Sequence, residues 1–121
     1  MPEAKVVKEK IRDGDKLFSA LYLEVENAGL LLLSEGDDRL GTLAAAVPQR
    51  QKMTVPTLSS LLLGDRNVTT ARLFAERLAD QVNKIALASV FIKSLNEREA
   101  GPILVKLFKK TLKKKETRKT R

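Results

Sequence analysis

With neither histidine nor cysteine in its 121 residues, the chain lacks the commonest general base, the commonest metal ligand and every thiol nucleophile. Zinc, haem and iron–sulfur sites draw on those two residue types, so no metal site and no cofactor is expected. Ser59 and Ser60 lie in an apolar run, where only a lysine such as Lys84 could serve as a base. Nothing in the spacing fixes such a pair, and small polar residues within a strand account for both serines. Asp13/Asp15 and Asp37/Asp38 are the candidate carboxylate pairs, each beside a glycine. Aspartate in such a place stabilises a turn by bonding its own backbone, and neither pair has the further ligands of a calcium loop. The stretch Gly64-Asp65-Arg66-Asn67-Val68-Thr69-Thr70 before a helix invites an anion site. It lacks the spacing of a nucleotide-phosphate loop, and Asp65 would repel a phosphate. Turn plus helix cap is the better reading, with Asn67 or Thr69 as the cap. No catalytic residue is expected, and the chain reads as a binding protein rather than an enzyme.

The one polar feature beyond the ordinary is a concentration of lysine. From Lys106 to Arg121 there are nine Lys and Arg residues against one Glu, and the preceding chain carries 14 of each sign. The whole net charge of +8 therefore lives in the last helix and its tail. Lys106, Lys109, Lys110, Lys113 and Lys114 cover one side of that helix and are the candidate partner-binding residues. Such a face docks to an acidic surface of protein or nucleic acid, or is simply solvated. Nucleic acid is the weaker alternative, a small basic protein binding through this helix and tail. Only four Phe and one Tyr occur, none interleaved with the tail's lysines to stack on bases.

The elements that would position these residues follow from periodicity. Lys5 to Ile11 reads as a first strand or an arm, followed by a turn at Asp13-Gly14-Asp15. Along Leu17–Glu26, Leu17, Leu21, Leu23 and Val25 face one way and Tyr22, Glu24 and Glu26 the other, the pattern of a half-buried strand. Leu30–Leu33 wants burial on both faces. Leu40–Val47 is ambiguous, because alanine favours helix while the segment is short and stops at Pro48; its place between strands favours strand. Gln49–Val55 is a polar connection ending at Pro56. Leu58–Leu63, cut off by Gly64-Asp65, is a buried strand, and the next helix aligns Ala71, Phe74, Ala75, Leu78 and Val82. Ala86–Leu95 is a further strand. A last helix begins between Glu97 and Gly101, its stripe formed by Ala100, Ile103, Leu104, Leu107, Phe108 and Leu112.

The expected architecture is α+β: an antiparallel sheet of four to six strands with two helices on one face. Leu30–Leu33, Leu58–Leu63 and Val90–Ile92 point apolar side chains to both faces, so the second face is expected to be buried in a dimer. Leu31, Leu33, Leu61 and Leu63 are the candidate dimer-face residues. Residues 1–115 form a single domain and 116–121 a basic disordered tail. At this length one domain buries about two-thirds of its unfolded surface. No apolar run approaches the roughly 20 residues of a membrane span, and the first ten residues lack the apolar core of a signal peptide. A cytoplasmic location is expected.

Ser60, Leu62, Leu63, Gly64, Asp65, Thr69, Thr70, Arg77, Leu78, Ala79, Asn83 and Lys84 also carry a resemblance. The string SLLLGDRNVTTARLFAERLADQVNK resembles the central segment of the proteasome-assembly chaperone 4 family, with its S-L-L-G-D, Thr pair, Arg-Leu-Ala helix and closing Asn-Lys. Gly64, Asp65, Thr69 and Thr70 form the family-motif turn and helix start. The order of apolar runs extends the likeness from about Leu17 to Leu112. The resemblance implies a dimeric, non-catalytic chaperone that binds proteasome α-type subunits and promotes ring assembly, as a homodimer or paired with a related subunit. The missing Cys and abundant Lys fit an archaeal-type homologue. The basic ending departs from the family's more modest one.

Overall fold

Asp13 pairs with Lys16 across a two-residue turn, which joins β1 (Lys5–Asp13) to β2 (Lys16–Glu24) as a hairpin. A short connection then brings β3 (Ala28–Glu35) back antiparallel to β2, with the amide of Val25 donating to the Ala28 carbonyl at 2.9 Å. The computed structural model describes residues 4–49 and 57–119. Most of the polar connection expected over Gln49–Val55, with Pro56, lies outside them.

After β4 (Thr42–Val47) and β5 (Leu58–Leu63), helix α1 (Val68–Val82) carries the chain across to β6 (Ile85–Phe91), and α2 (Glu97–Lys119) closes the described fold. The six strands lie in the order β1-β2-β3-β6-β4-β5. The sheet is mixed and mostly antiparallel, since β6 inserts between β3 and β4 and runs parallel to β3. The direction of β6 follows from its connection. β5 and β6 both pair antiparallel with β4, so they point the same way, and a parallel return of this kind needs a crossover helix.

Alternation within the strands explains which residues meet the helices. The helix side takes Val7, Phe18, Ala20, Tyr22, Leu31, Leu33, Ala44, Ala88 and Val90, all buried in one core with Phe74, Leu78, Leu104 and Leu107. The alanines that make Leu40–Val47 ambiguous have a packing reason. Ala44 and Ala46 stand beside Ala88 and Ala86, and α1 presents Ala71, Ala75 and Ala79 to the same core, so helix and sheet can approach closely.

The same alternation corrects the expected dimer face. Leu31 and Leu33 are fully buried in this core, so they are not available to a second chain. Their neighbours Leu30 and Leu32 are half-buried on the opposite face. On β2 the side bearing Tyr22 and Glu24 turns to the helices, and both residues are buried there. The strand expected to run to Leu95 ends at Phe91.

Helix α2 starts in a reciprocal cap. The amide of Glu99 donates to Asn96 Oδ1 at 2.8 Å, and the amide of Asn96 donates to Glu99 Oε1 at 3.2 Å. Pro102 lies within the helix, near enough to its start that little of the hydrogen-bond ladder is lost. The helix continues through Glu116 to Lys119, and the end of the expected tail, Thr120 and Arg121, lies outside the described residues.

Replacing Leu31 by Ala should lower stability by about 3 kcal/mol, the cost of a lost buried side chain plus its cavity. Leu58→Ala, at a residue 62% exposed, should change it by less than about 0.5 kcal/mol. Urea unfolding of the two variants checks the pair, and equal losses would contradict the assignment of faces.

Candidate interaction surfaces

The middle of the sheet face away from the helices is apolar, and no described helix packs on it. Leu23, Leu30 and Leu87 stand side by side across β2, β3 and β6, and Ala45 of β4 continues the row. In the next row Leu21 and Leu32 are followed by Ser89 and Leu43. Val6, Val25, Ile85, Val47 and Leu58 surround these rows and are each at least 40% exposed. Ser19, Ser34 and Ser89 of this face are buried because the loop after β3 folds onto them. Ser19 Oγ donates to the Gly36 carbonyl at 2.6 Å, and Ser34 Oγ accepts from the Arg39 amide at 3.0 Å. Ser89 Oγ accepts from the Gly41 amide at 2.8 Å. The loop's hydrogen bonds reach the second row only at Ser89 and do not reach the first.

Of the expected dimer-face residues, Leu61 and Leu63 remain exposed, on β5. Leu63 stands opposite Leu43 and Leu61 opposite Ala44, with an irregularity in register between them. Such a bulge re-aims the side chains of an edge strand. Leu21, Leu23, Leu30, Leu32 and Leu87 were not singled out from sequence. The period-two pattern of Leu17–Glu26 was the available signal, but it marks two faces without saying which one the helices take.

The candidate lysines divide into two sets. Lys106, Lys110 and Lys114 turn toward β1. Lys110 Nζ donates to the Lys10 carbonyl at 3.3 Å and lies 3.6 Å from Glu9, while Lys114 Nζ donates to the Lys8 carbonyl at 2.8 Å. Lys106 lines a cleft with Ile11, Arg12 and Ile103. Lys109 and Lys113 line two clefts between α1 and α2, beside Arg77 and Gln81 respectively.

The motif turn is structural in its contacts. Gly64 has φ 95°, and a Cβ there would meet Thr42 Oγ1 at 2.5 Å. Asp65 is exposed. Asn67 occupies the cap position of α1 with a left-handed backbone, φ 60°, and its side chain makes no cap bond; Thr69 lies inside the helix. Asparagine tolerates that conformation, so here it turns the chain instead of capping it. Thr70 Oγ1 donates to Glu97 Oε2 at 2.9 Å and ties the start of α1 to the start of α2. Ser59 Oγ accepts from Arg72 Nε at 3.1 Å and donates to Glu76 Oε2 at 2.6 Å, which fastens α1 to β5. Among the described residues no cluster of three or more carboxylates gathers as a metal site would require, and no helix is long and apolar enough to cross a membrane.

A buried ionic knot holds the lysine helix to the sheet. Glu24, at the end of β2, accepts from Lys84 Nζ at 2.6 Å and from the Tyr22 hydroxyl at 2.7 Å, and Lys115 Nζ of α2 lies 3.3 Å away. The side chains of Glu24 and Lys115 are 7% and 5% exposed. Burial alone would raise the Glu24 carboxyl, but the Lys84 and Tyr22 hydrogen bonds and the Lys115 charge outweigh it and hold it at about 2. Burial and the neighbouring carboxylate push the Tyr22 hydroxyl up. Gly29 makes room for this hydroxyl, since a Cβ there would lie 2.6 Å from it. Glu35 does similar work at the other end of the sheet. Burial opposes its charge, but the Ser94 hydroxyl and the amides of Ser94 and Lys93 lower its carboxyl below the usual range.

The fold is similar to that of a chain in the crystal structure of a novel chaperone complex for yeast 20S proteasome assembly. The TM-score is 0.69 at 15% identity, over 94% of this chain and 96% of that one. The sequence matches no protein-family model and no curated protein.

The Glu24 knot has a pH signature. Its folded carboxyl, at about 2, lies below the ordinary 4.5, so the unfolded chain takes up the proton first. The stabilisation is complete above about pH 5 and is lost as pH falls toward 2, by about 3 kcal/mol in all. Glu24→Gln should lose a similar amount at neutral pH, because Lys115 is left buried beside a neutral amide. It should also show a correspondingly flatter acid limb in urea titrations from pH 7 to pH 2. Parallel acid limbs for parent and variant would contradict the assignment.

Proposed function

We propose that the chain is a non-catalytic assembly chaperone that binds proteasome α-type subunits and promotes core-particle ring assembly as a dimeric scaffold. The observation that carries this reading is the extent of the fold likeness, 94% of this chain against a component of a proteasome-assembly chaperone complex. The motif string from Ser60 to Lys84 points the same way. Its Gly64, Thr70 and Lys84 each make a contact that this fold uses.

Dimerisation is supported by the uncovered leucine rows. The two rows, with the exposed Val6, Val25, Ile85, Val47 and Leu58 around them, form one apolar patch centred on β2, β3 and β6, the kind of surface that marks an interaction site. Another sheet is the natural cover, since sheets stack face to face about 10 Å apart. The partner is a second copy or a related subunit, which leaves the charged outer surfaces free for the α-type subunit. Binding of this kind needs no chemical step. It stabilises one arrangement of subunits and ends when later contacts compete for the same surface. The setting is cytoplasmic.

Sedimentation velocity with purified proteasome α-type subunits tests the function. A defined complex should form at moderate salt and weaken at high salt, because exposed lysines contribute to it. Deleting residues 116–121 should leave most of the affinity intact. An α-subunit that sediments unchanged beside this chain at every salt concentration would overturn the reading.

A further inference from the structure

Two sets of cations about a hundred residues apart in sequence meet along the β1 edge. Lys8, Lys10 and Arg12 alternate on β1 with Val7, Glu9 and Ile11, so they flank the edge from the face away from the helices, and all three are exposed. Lys106, Lys110 and Lys114 recur every four residues on α2 and are exposed as well. The two rows are in register. Lys114 Nζ sits on the carbonyl of Lys8 and Lys110 Nζ on that of Lys10, while Lys106 and Arg12 share one cleft. The strand row repeats about every 6.7 Å and the helix row about every 6 Å. Glu9 offsets part of this charge, at 3.6 Å from Lys110 and 4.0 Å from Lys114, and Asp38 lies 4.0 Å from Lys8. With Asp13 in the cleft, three carboxylates stand against six cations.

These lysines also change what the edge can accept. An open strand edge usually invites another strand to pair with its free backbone groups. Here the carbonyls of Lys8 and Lys10 already accept ammonium groups, so an approaching chain meets positive charge in place of acceptors. At the Arg12–Lys106 end the cleft has apolar walls, Ile11, Pro102 and Ile103, and a volume of about 220 Å³.

We propose that this double row docks an extended acidic segment of a protein partner, with Asp or Glu at alternate positions and an apolar side chain in the Ile11–Pro102–Ile103 cleft. Side chains on one side of an extended chain repeat at about the pitch of both rows, so a segment laid along the edge sets successive carboxylates between strand cations on one face and helix cations on the other. A nucleic-acid strand fits less well. Phe18, Tyr22, Phe74 and Phe108 are buried in the core and Phe91 lies beneath Arg39, so no aromatic platform faces the rows for base stacking. Placing this segment on an α-type subunit rests on the function proposed above; the acidic chemistry of the ligand does not.

Fluorescence anisotropy with the full chain and a labelled peptide of six Glu-Ser repeats tests the proposal, with oligothymidylate as a second probe. The triple variant Lys8→Gln/Lys10→Gln/Arg12→Gln should weaken peptide binding about tenfold, the order expected from losing three exposed ion pairs. Removing the same charge elsewhere, in Arg66→Gln/Arg77→Gln/Lys93→Gln, should leave it within about twofold. Arg12→Gln alone should cost about threefold, which keeps the test open if the triple variant misfolds. A β1 variant that binds as the parent does, or a control that loses as much, overturns the proposal. So does tighter binding of oligothymidylate than of peptide. Peptide binding without any α-subunit complex would sink the assembly function and leave this site standing. An α-subunit complex indifferent to the β1 triple would do the reverse.

Discussion

A six-stranded sheet has two faces, and the described chain supplies helices for one. Both α1 and α2 pack on the side of Tyr22, Leu31 and Ala88, so the leucines that alternate with those residues stand on a surface no other described element covers. Most of what distinguishes this molecule follows from that imbalance. The loop after β3 folds back only as far as Ser19, Ser34 and Ser89, where buried hydroxyls need partners. It leaves Leu21, Leu23, Leu30, Leu32 and Leu87 to be buried by something else.

The helix side is organised around charge as much as around apolar packing. Glu24 is the meeting point of three elements: β2, which carries it; the turn after α1, which brings Lys84; and α2, which brings Lys115. A carboxylate this deeply buried is tolerable only with such partners. Thr70 and Glu97 make a second tie between the two helices at their starts. With the last helix held at both ends, its lysines are presented at fixed positions over the β1 edge, so their pitch can match that of the strand beneath.

Much of this was legible in the sequence, and the failures have physical causes. The bounds of β5, α1 and the stripe of α2 fall where the sequence places them, and each helix buries one continuous set of apolar side chains; β5, expected to be a buried strand, is instead an exposed edge strand, because no described element lies beyond it to cover its leucines. Leu31 and Leu33, which the sequence places on the dimer face, are buried against the helices. Four leucines in a row declare that both faces are apolar but carry no mark of which face meets the helices. The burial of Glu24 is invisible locally, since the lysines that neutralise it lie sixty and more residues away in the chain. The parallel pairing of β3 with β6 is equally hidden, because it depends on where α1 delivers the chain and on no feature of either strand. Lys8, Lys10 and Arg12 look like ordinary edge-strand charges until α2 is laid beside them.

The central claim is that the leucine face is covered by another polypeptide sheet, and the mass of the purified chain in solution tests it most directly. Light scattering across a concentration series should give twice the 13.4 kDa of one chain at micromolar concentration. Leu32→Glu, which places a charge in the middle of the face while leaving the helix-side core untouched, should return the single-chain mass with the fold intact by circular dichroism. A parent chain that stays at the mass of one copy, and remains so beside its candidate partner subunits, would contradict the account.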